Sequence, residues 1–151
     1  MKEDRKISEE KQRQLFIDHW HDKDIKLVCE VPVFCRSVDL VKYNQKKQIV
    51  TAMEFKTHDW KRALEQVLST AVAFDYLEIC IQKPKTQKGL ENIIRICKEL
   101  GVGIYFMENE NLQFEHALFP QKVNKMWEVQ KEQVIQFIDK ERDIFRKNSH
   151  H

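Results

Sequence analysis

Apolar positions recur along the chain with two periods, and the change from one to the other marks out the elements. Between residues 8 and 20, Leu15, Phe16 and Trp20 form one stripe, which predicts a helix that Ser8 can cap. Residues 26–33 and 37–43 read as strands. A polar turn follows at Asn44-Gln45-Lys46-Lys47, and 48–56 reads as a third strand, so the second and third form a hairpin. Asp59 stands where an N-cap belongs, ahead of a helix over 60–74 rich in Ala, Leu, Glu and Gln. The nearly all-apolar run 76–81 predicts a strand covered on both faces. Beyond the basic loop Lys83-Pro84-Lys85-Thr86-Gln87-Lys88 a helix is expected over 90–100. It carries Leu90, Ile93, Ile94, Cys97 and Leu100 at helical spacing, with Gly101 as its C′ residue. Strands at 102–107 and, at an edge, 113–118 precede one long helix over 121–147. Val123, Met126, Trp127, Val134, Phe137, Ile138 and Phe145 share one side of that helix, and Gln130 breaks the stripe.

The order is α-β-β-β-α-β, then α-β and a C-terminal helix, with parallel strands on either side of the helix at 60–74. That is a mixed α/β class. With 151 residues, 42% hydrophobic and 33% charged, the chain suits one domain over 1–148 rather than two. Only 3 Gly and 3 Pro occur, which argues against long structureless loops. The net charge of +2 is too small to argue for nucleic acid by itself; a binder would have to gather its basic residues on one surface. No apolar leader or membrane-length run is visible, so a cytoplasmic protein without a membrane partner is expected. Cys29, Cys35, Cys80 and Cys97 form no C-x-x-C pair and are expected as buried free thiols.

The acidic residues of the hairpin carry the candidate chemistry. With the turn centred between Gln45 and Lys46, Asp39 lies opposite Ala52, and Glu54 is its diagonal neighbour on the same face, with Lys56 following. Thr51, Met53 and Phe55, with Val38 and Leu40, take the other face. Two carboxylates and one ammonium thus converge at the end of otherwise apolar strands. Burying unpaired charge is costly, so the surplus negative charge calls for a salt bridge or a bound cation. Mg²⁺ takes one or two carboxylates and keeps waters, which leaves room for phosphate oxygens. The cation would polarise a phosphodiester, while Lys56 orients the water or stabilises developing charge. The backbone carbonyl of Phe55 is a further candidate ligand. Glu30 sits across from Asp39 if the first connection is centred near Phe34 and Cys35, which makes it an additional candidate.

Asp39…Glu54-Phe55-Lys56 in α-β-β-β-α-β order resembles the PD-(D/E)XK nuclease superfamily over residues 8–81. The lead motif is Ser37-Val38-Asp39, without the family's usual Pro before Asp. The resemblance implies a restriction-endonuclease-like core over about 8–107, Mg²⁺ with Mn²⁺ as a substitute, a nucleic acid partner, DNA in the first instance, and in double-strand cutters a homodimer. It also implies that the helix Trp60-Lys61-Arg62-Ala63-Leu64-Glu65-Gln66 faces the site. Gln66 then touches the catalytic lysine, the metal water or the phosphate, and Arg62 shares its face.

Plainer readings stand beside these. An isolated E-x-K is a surface Glu–Lys pair, and Glu30 reads equally as an exposed strand residue. Arg36 reads as a solvated turn residue, with phosphate contact as the alternative. Lys83, Lys85 and Lys88 either grip backbone phosphates or form an ordinary solvated loop. His19 and His21, two apart, do not share a helical face and are expected as exposed polar residues; His58 and Asp59 serve helix entry. The leading expectation is a metal-dependent endo- or exonuclease. The alternatives are a non-catalytic nucleic-acid-binding or assembly module on the same fold, and a structural partner protein that associates through its last helix.

Overall fold

The computed structural model describes the backbone of residues 7–148 and the side chains of residues 7–141. Six strands make one mixed sheet in sequence order. β1 (Ile25–Val33), β2 (Arg36–Asn44) and β3 (Ile49–Phe55) form an antiparallel meander. β4 (Tyr76–Gln82) and β5 (Gly103–Glu108) extend it in parallel, and β6 (Gln113–Leu118) pairs antiparallel at the far edge.

Helices cover the sheet unequally. α2 (Trp60–Leu68), α3 (Gln87–Leu100) and α4 (Glu128–Asn148) bury Ala63, Leu64, Val67, Ile93, Cys97, Val134 and Ile138 against Val41, Val50, Ala52, Ile79, Ile81 and Ile104. The other face receives α1 (Glu9–Asp18), whose Phe16 packs with Leu40, Met53, Phe55, Cys80 and Tyr105. Three of the helices start on a side-chain cap, two of them, at Ser8 and Asp59, as expected. Ser8, Asp59 and Thr86 accept from the backbone N–H three residues on, each at 3.1 Å. Gly101 ends α3 in the left-handed region at φ 74°, where a Cβ is strained.

Two expected helix boundaries move by six residues or more, and α3 starts at Gln87 rather than 90. The helix from Trp60 stops at Leu68 rather than 74, because Ser69 Oγ donates to the Gln66 carbonyl (2.6 Å) and Thr70 Oγ1 to that of Val67 (2.8 Å). These hydroxyls satisfy the last carbonyls and favour termination; a 3-10 turn, Ala71–Ala73, follows. The last helix begins at Glu128 rather than 121. Val123 N–H donates to the Asp75 carbonyl (2.8 Å) and Trp127 N–H to that of Val72 (2.7 Å), holding that segment along the sheet. Val134 and Ile138 are buried as expected, but Trp127 is 60% exposed, and Phe145 lies outside the described side chains. Cys80 and Cys97 are buried thiols, whereas Cys29 and Cys35 are exposed at the outer strand pair.

Two buried carboxylates fasten the scaffold. Asp75 accepts from Val50 N–H at 2.9 Å and pairs with Lys131 of α4 at 3.0 Å. Glu78, fully buried in β4, pairs with Lys42 of β2 and with His116 of β6 (2.8 Å), reaching two strands away on either side. The Lys42 ammonium also lies 5.2 Å from the ring centroids of both Trp20 and Tyr105, so cation–π attraction supplements the ion pair. Among the described residues no helix is long and apolar enough to cross a membrane.

Candidate functional site

The β2–β3 ladder decides whether the acids meet. Leu40 pairs with Met53 and Val41 with Ala52, so the next rung sets Asp39 across from Glu54. The expected register, Asp39 opposite Ala52, is two residues out. The four-residue loop between Asn44 and Ile49 is centred between Lys46 and Lys47, with Asn44 Oδ1 accepting from Lys47 N–H at 3.1 Å. A slip of two preserves the face of every side chain. The two acids therefore stand closer than expected rather than apart.

The face assignment changes at one place. Leu40, Met53 and Phe55 lie on the α1 side, but Val38 belongs to the opposite cluster with Val41 and Tyr43. Alternation inverts between Val38 and Val41, where the β1–β2 ladder passes from Cys29↔Leu40 to Val31↔Val38. Glu30 occupies that gap at φ 55°, a left-handed conformation inside a strand. Asp39, its neighbour across the gap, is half-buried at this irregular point.

Asp39 Oδ2 accepts from Phe55 N–H at 2.8 Å, which fixes one of its oxygens. Glu54 is 4% exposed, and its carboxyl is pushed up to about 9. Burial is the first cause, followed by the hydrogen bond and the repulsion from Asp39; the Asp39 N–H and the Arg36 charge offset part of it. Without a cation the pair holds a proton at neutral pH, because two adjacent carboxylates cannot both ionise cheaply in a buried place. Glu54 follows the alternation of Val50 and Ala52 and so points toward the α2 layer.

Lys56 Nζ reaches Glu9 Oε2 of α1 at 3.3 Å. Arg13, one turn further along α1, donates to Glu30 and to the Asp39 carbonyl (3.3 Å). Glu30 also accepts from Ser37 Oγ at 2.7 Å; that hydroxyl, then Arg13, holds its carboxyl below the usual range. Its oxygens are thus engaged by protein donors. A cleft of about 340 Å³ opens here, lined by Glu9, Glu10, Arg13, Glu30, Asp39 and Phe55.

The α1 residues were not among the expected site residues. Glu9, Arg13 and Phe16 lie at spacings of four and three, one face of a helix. Phe16 docks that face, its ring 5.7 Å from Phe55 and 5.0 Å from Tyr105, both edge-on. The same contact delivers Glu9 and Arg13 to the cleft. The spacing was legible in the sequence; the strand against which the face would dock was not.

Other expected residues are more distant. Gln66 is half-buried on α2, in the layer toward which Glu54 points. Among the described residues its side chain makes no hydrogen bond to Asp39, Glu54 or Lys56; its carbonyl receives Ser69. Arg62 is exposed in the first turn of α2. Lys83 Nζ sits between Glu108 (3.5 Å) and Glu115 (3.6 Å). Gln82 N–H donates to the Thr57 carbonyl, and Lys83 N–H to that of Met107. Lys88, expected in the loop, lies in the first turn of α3; it, Lys83 and Lys85 follow β4 at the same end of the sheet as Lys56.

Among the described residues no three His, Cys, Asp or Glu side chains are grouped so as to hold a metal. Mg²⁺ needs fewer protein ligands, and Asp39, Glu54 and the Phe55 carbonyl are the groups that could hold it; of the two acids, Asp39 lines the cleft and Glu54 does not. Burial first and Asp39 second keep Glu54 protonated, and a cation would neutralise the pair once ionised.

The sequence matches no family model and no curated protein. Among solved structures, a protein of unknown function from Silicibacter pomeroyi is similar at a TM-score of 0.57 and 14% identity, over 85% of this chain and 84% of that one. That likeness supports the mixed α/β fold, a six-stranded sheet flanked by helices with a C-terminal helix.

Proposed function

We propose that this chain is a divalent-metal-dependent nuclease of the PD-(D/E)XK kind that hydrolyses phosphodiester bonds in DNA. The observation that carries the reading is the placement of buried Glu54 across from Asp39, two adjacent carboxylates on strands β3 and β2, with Lys56 directly following β3. Asp39, Glu54 and the Phe55 carbonyl would hold Mg²⁺ or Mn²⁺. When bound, the ion supplies Lewis-acid polarisation of the phosphate and lowers the pKa of a coordinated water.

The chain's own residues do the remaining work. Phe55 N–H fixes Asp39, so this carboxylate presents its other oxygen without a search over rotamers. Glu54 would have to release its proton for both carboxylates to hold the ion, which would tie occupancy of the site to pH. Lys56, held by Glu9 in the free protein, exchanges that partner for the substrate, where its ammonium stabilises charge growing on the phosphate oxygens. Gln66 takes its role from the family resemblance, reaching from α2 toward the lysine or the phosphate. Arg62 in the first turn of α2, and Lys83, Lys85 and Lys88 after β4, would contact backbone phosphates further out, Lys83 by leaving Glu108 and Glu115.

The test is a cleavage panel with Mg²⁺ and Mn²⁺ over single-stranded, duplex, flapped and four-way-junction DNA and RNA, with Glu54→Ala as control. Cleavage that needs the metal and disappears in Glu54→Ala supports the reading. DNA binding in chelator without turnover under either metal points instead to a non-catalytic binding module.

A further inference from the structure

The β1–β2 hairpin ends in a two-residue loop, Phe34-Cys35, closed by the Val33↔Arg36 pair. Two-residue hairpin loops require positive φ at one or both central residues, and Gly, Asn or Asp take it with the least strain. Here the position holds Phe34 at φ 57°. A bulky aromatic residue in this region is a backbone outlier that the surroundings must enforce.

The surroundings are rigid right up to the tip. Val31, Val33 and Val38, which flank it, are 0%, 4% and 0% exposed. Arg36 Nη1 donates to Ser69 Oγ at 2.7 Å, bracing the base of the loop against the end of α2. Phe34 itself is 58% exposed, and no ring contact involves it among the described residues. The chain thus accepts a strained conformation and an exposed apolar ring at one anchored point.

That point stands in line with the candidate site. Arg36 and Asp39 are three steps apart on β2, about 10 Å at strand rise, or about three base steps of a duplex. The cationic Arg36 lies between Phe34 and Asp39 along the chain, close enough to Glu54 for its charge to act there.

We infer that Phe34 is an aromatic wedge that inserts between adjacent bases of DNA bound at the Asp39–Glu54 site, with Arg36 holding the phosphate at the insertion point. The inference rests on the nuclease reading and narrows it to substrates whose bases can be parted a few steps from the cut. Inserted apolar side chains unstack and kink duplexes, and flexible steps, nicks and junctions yield most readily.

The experiment compares wild-type protein with Phe34→Gly, a substitution that relieves the positive φ. The probe is a set of short DNA duplexes carrying 2-aminopurine at successive positions, with Ca²⁺ replacing Mg²⁺ during binding. The wild type should raise fluorescence at one base step. Phe34→Gly should abolish that rise and bind about 5- to 10-fold more weakly, the loss expected of one stacked ring. Its Tm should stay the same or increase, so weaker binding cannot be put down to unfolding. Equal fluorescence and affinity in the two proteins overturns the wedge. So does a wild-type dimer in sedimentation that Phe34→Gly dissolves, since the ring then joins two copies. Unstacking by the wild type with no cleavage under Mg²⁺ or Mn²⁺ leaves the wedge standing and removes the nuclease. Metal-dependent cleavage with no unstacking does the reverse, and absence of DNA binding overturns both.

Discussion

Replacing Glu54 by Gln keeps the side-chain shape and removes the charge. In the folded protein the carboxyl is pushed up to about 9, through burial first and Asp39 second, from an ordinary 4.5. Between those values the native state keeps a proton that the unfolded chain releases, so stability falls as pH rises. The limiting slope is about 1.4 kcal/mol per pH unit, hence about 3 kcal/mol at most from about pH 5.5 to about pH 8. For a chain of this size that is about 6–12 °C in Tm. Thermal melts of wild type and Glu54→Gln in EDTA across this range measure it. The two should coincide at the acid end and diverge toward pH 8, with the wild type lower. Mg²⁺ should nearly close the gap at pH 8, since the ion binds the deprotonated pair; a hundredfold excess over its Kd adds about 2.7 kcal/mol to the wild type and little to the variant. Parallel melting curves in EDTA would refute the reasoning about the acidic pair.

Three further outcomes follow from the same contacts. Lys56→Ala should abolish cleavage yet change stability by less than about 1 kcal/mol in urea melts, because its pairing with Glu9 is partly exposed. Glu78→Ala should cost about 3–5 kcal/mol in the same melts, since Lys42 and His116 lose their buried partner. Burial pushes the Glu78 carboxyl up, but His116 and Lys42 more than offset it and hold it below the ordinary 4.5. The wild type should therefore lose this contribution as pH falls from about 4.5 through the lowered value, while Glu78→Gln should lack that loss.

Much of the architecture is legible in local chemistry. Ser8, Asp59 and Gly101 end helices where their backbone preferences place them, and the strand runs are paired as their order suggests. Asp39 and Glu54 could be brought together from the sequence despite a register two residues out, because strand periodicity forgives an even slip. An odd event was not legible: the inversion at Glu30 depends on a positive φ that nothing in a Glu announces. The early stop of α2 lay in Ser69 and Thr70, whose hydroxyls compete with the helix, but Ala71–Ala73 continued the apolar pattern and hid it. The segment at 121–127 is apolar at helical spacing yet spends its N–H groups on Asp75 and Val72, a choice made by tertiary contact. Glu78 looked like an exception in an apolar strand; its partners lie on strands 36 and 38 residues away, beyond the reach of any local pattern. The contribution of Glu9 and Arg13 to the cleft is hidden for the same reason, since it depends on where Phe16 docks.

The central claim is that the Asp39–Glu54 pair, with Lys56 beside it, cuts phosphodiester bonds when a divalent ion is bound. Its most direct test is the initial rate of cleavage of a labelled DNA panel by purified wild type and Glu54→Ala, with Mg²⁺, with Mn²⁺ and in EDTA. The account predicts cleavage of at least one DNA by the wild type with either ion, none in EDTA, and none by a folded Glu54→Ala protein. Undiminished Mg²⁺-dependent cleavage by Glu54→Ala, or no cleavage by the wild type under any condition, would contradict it.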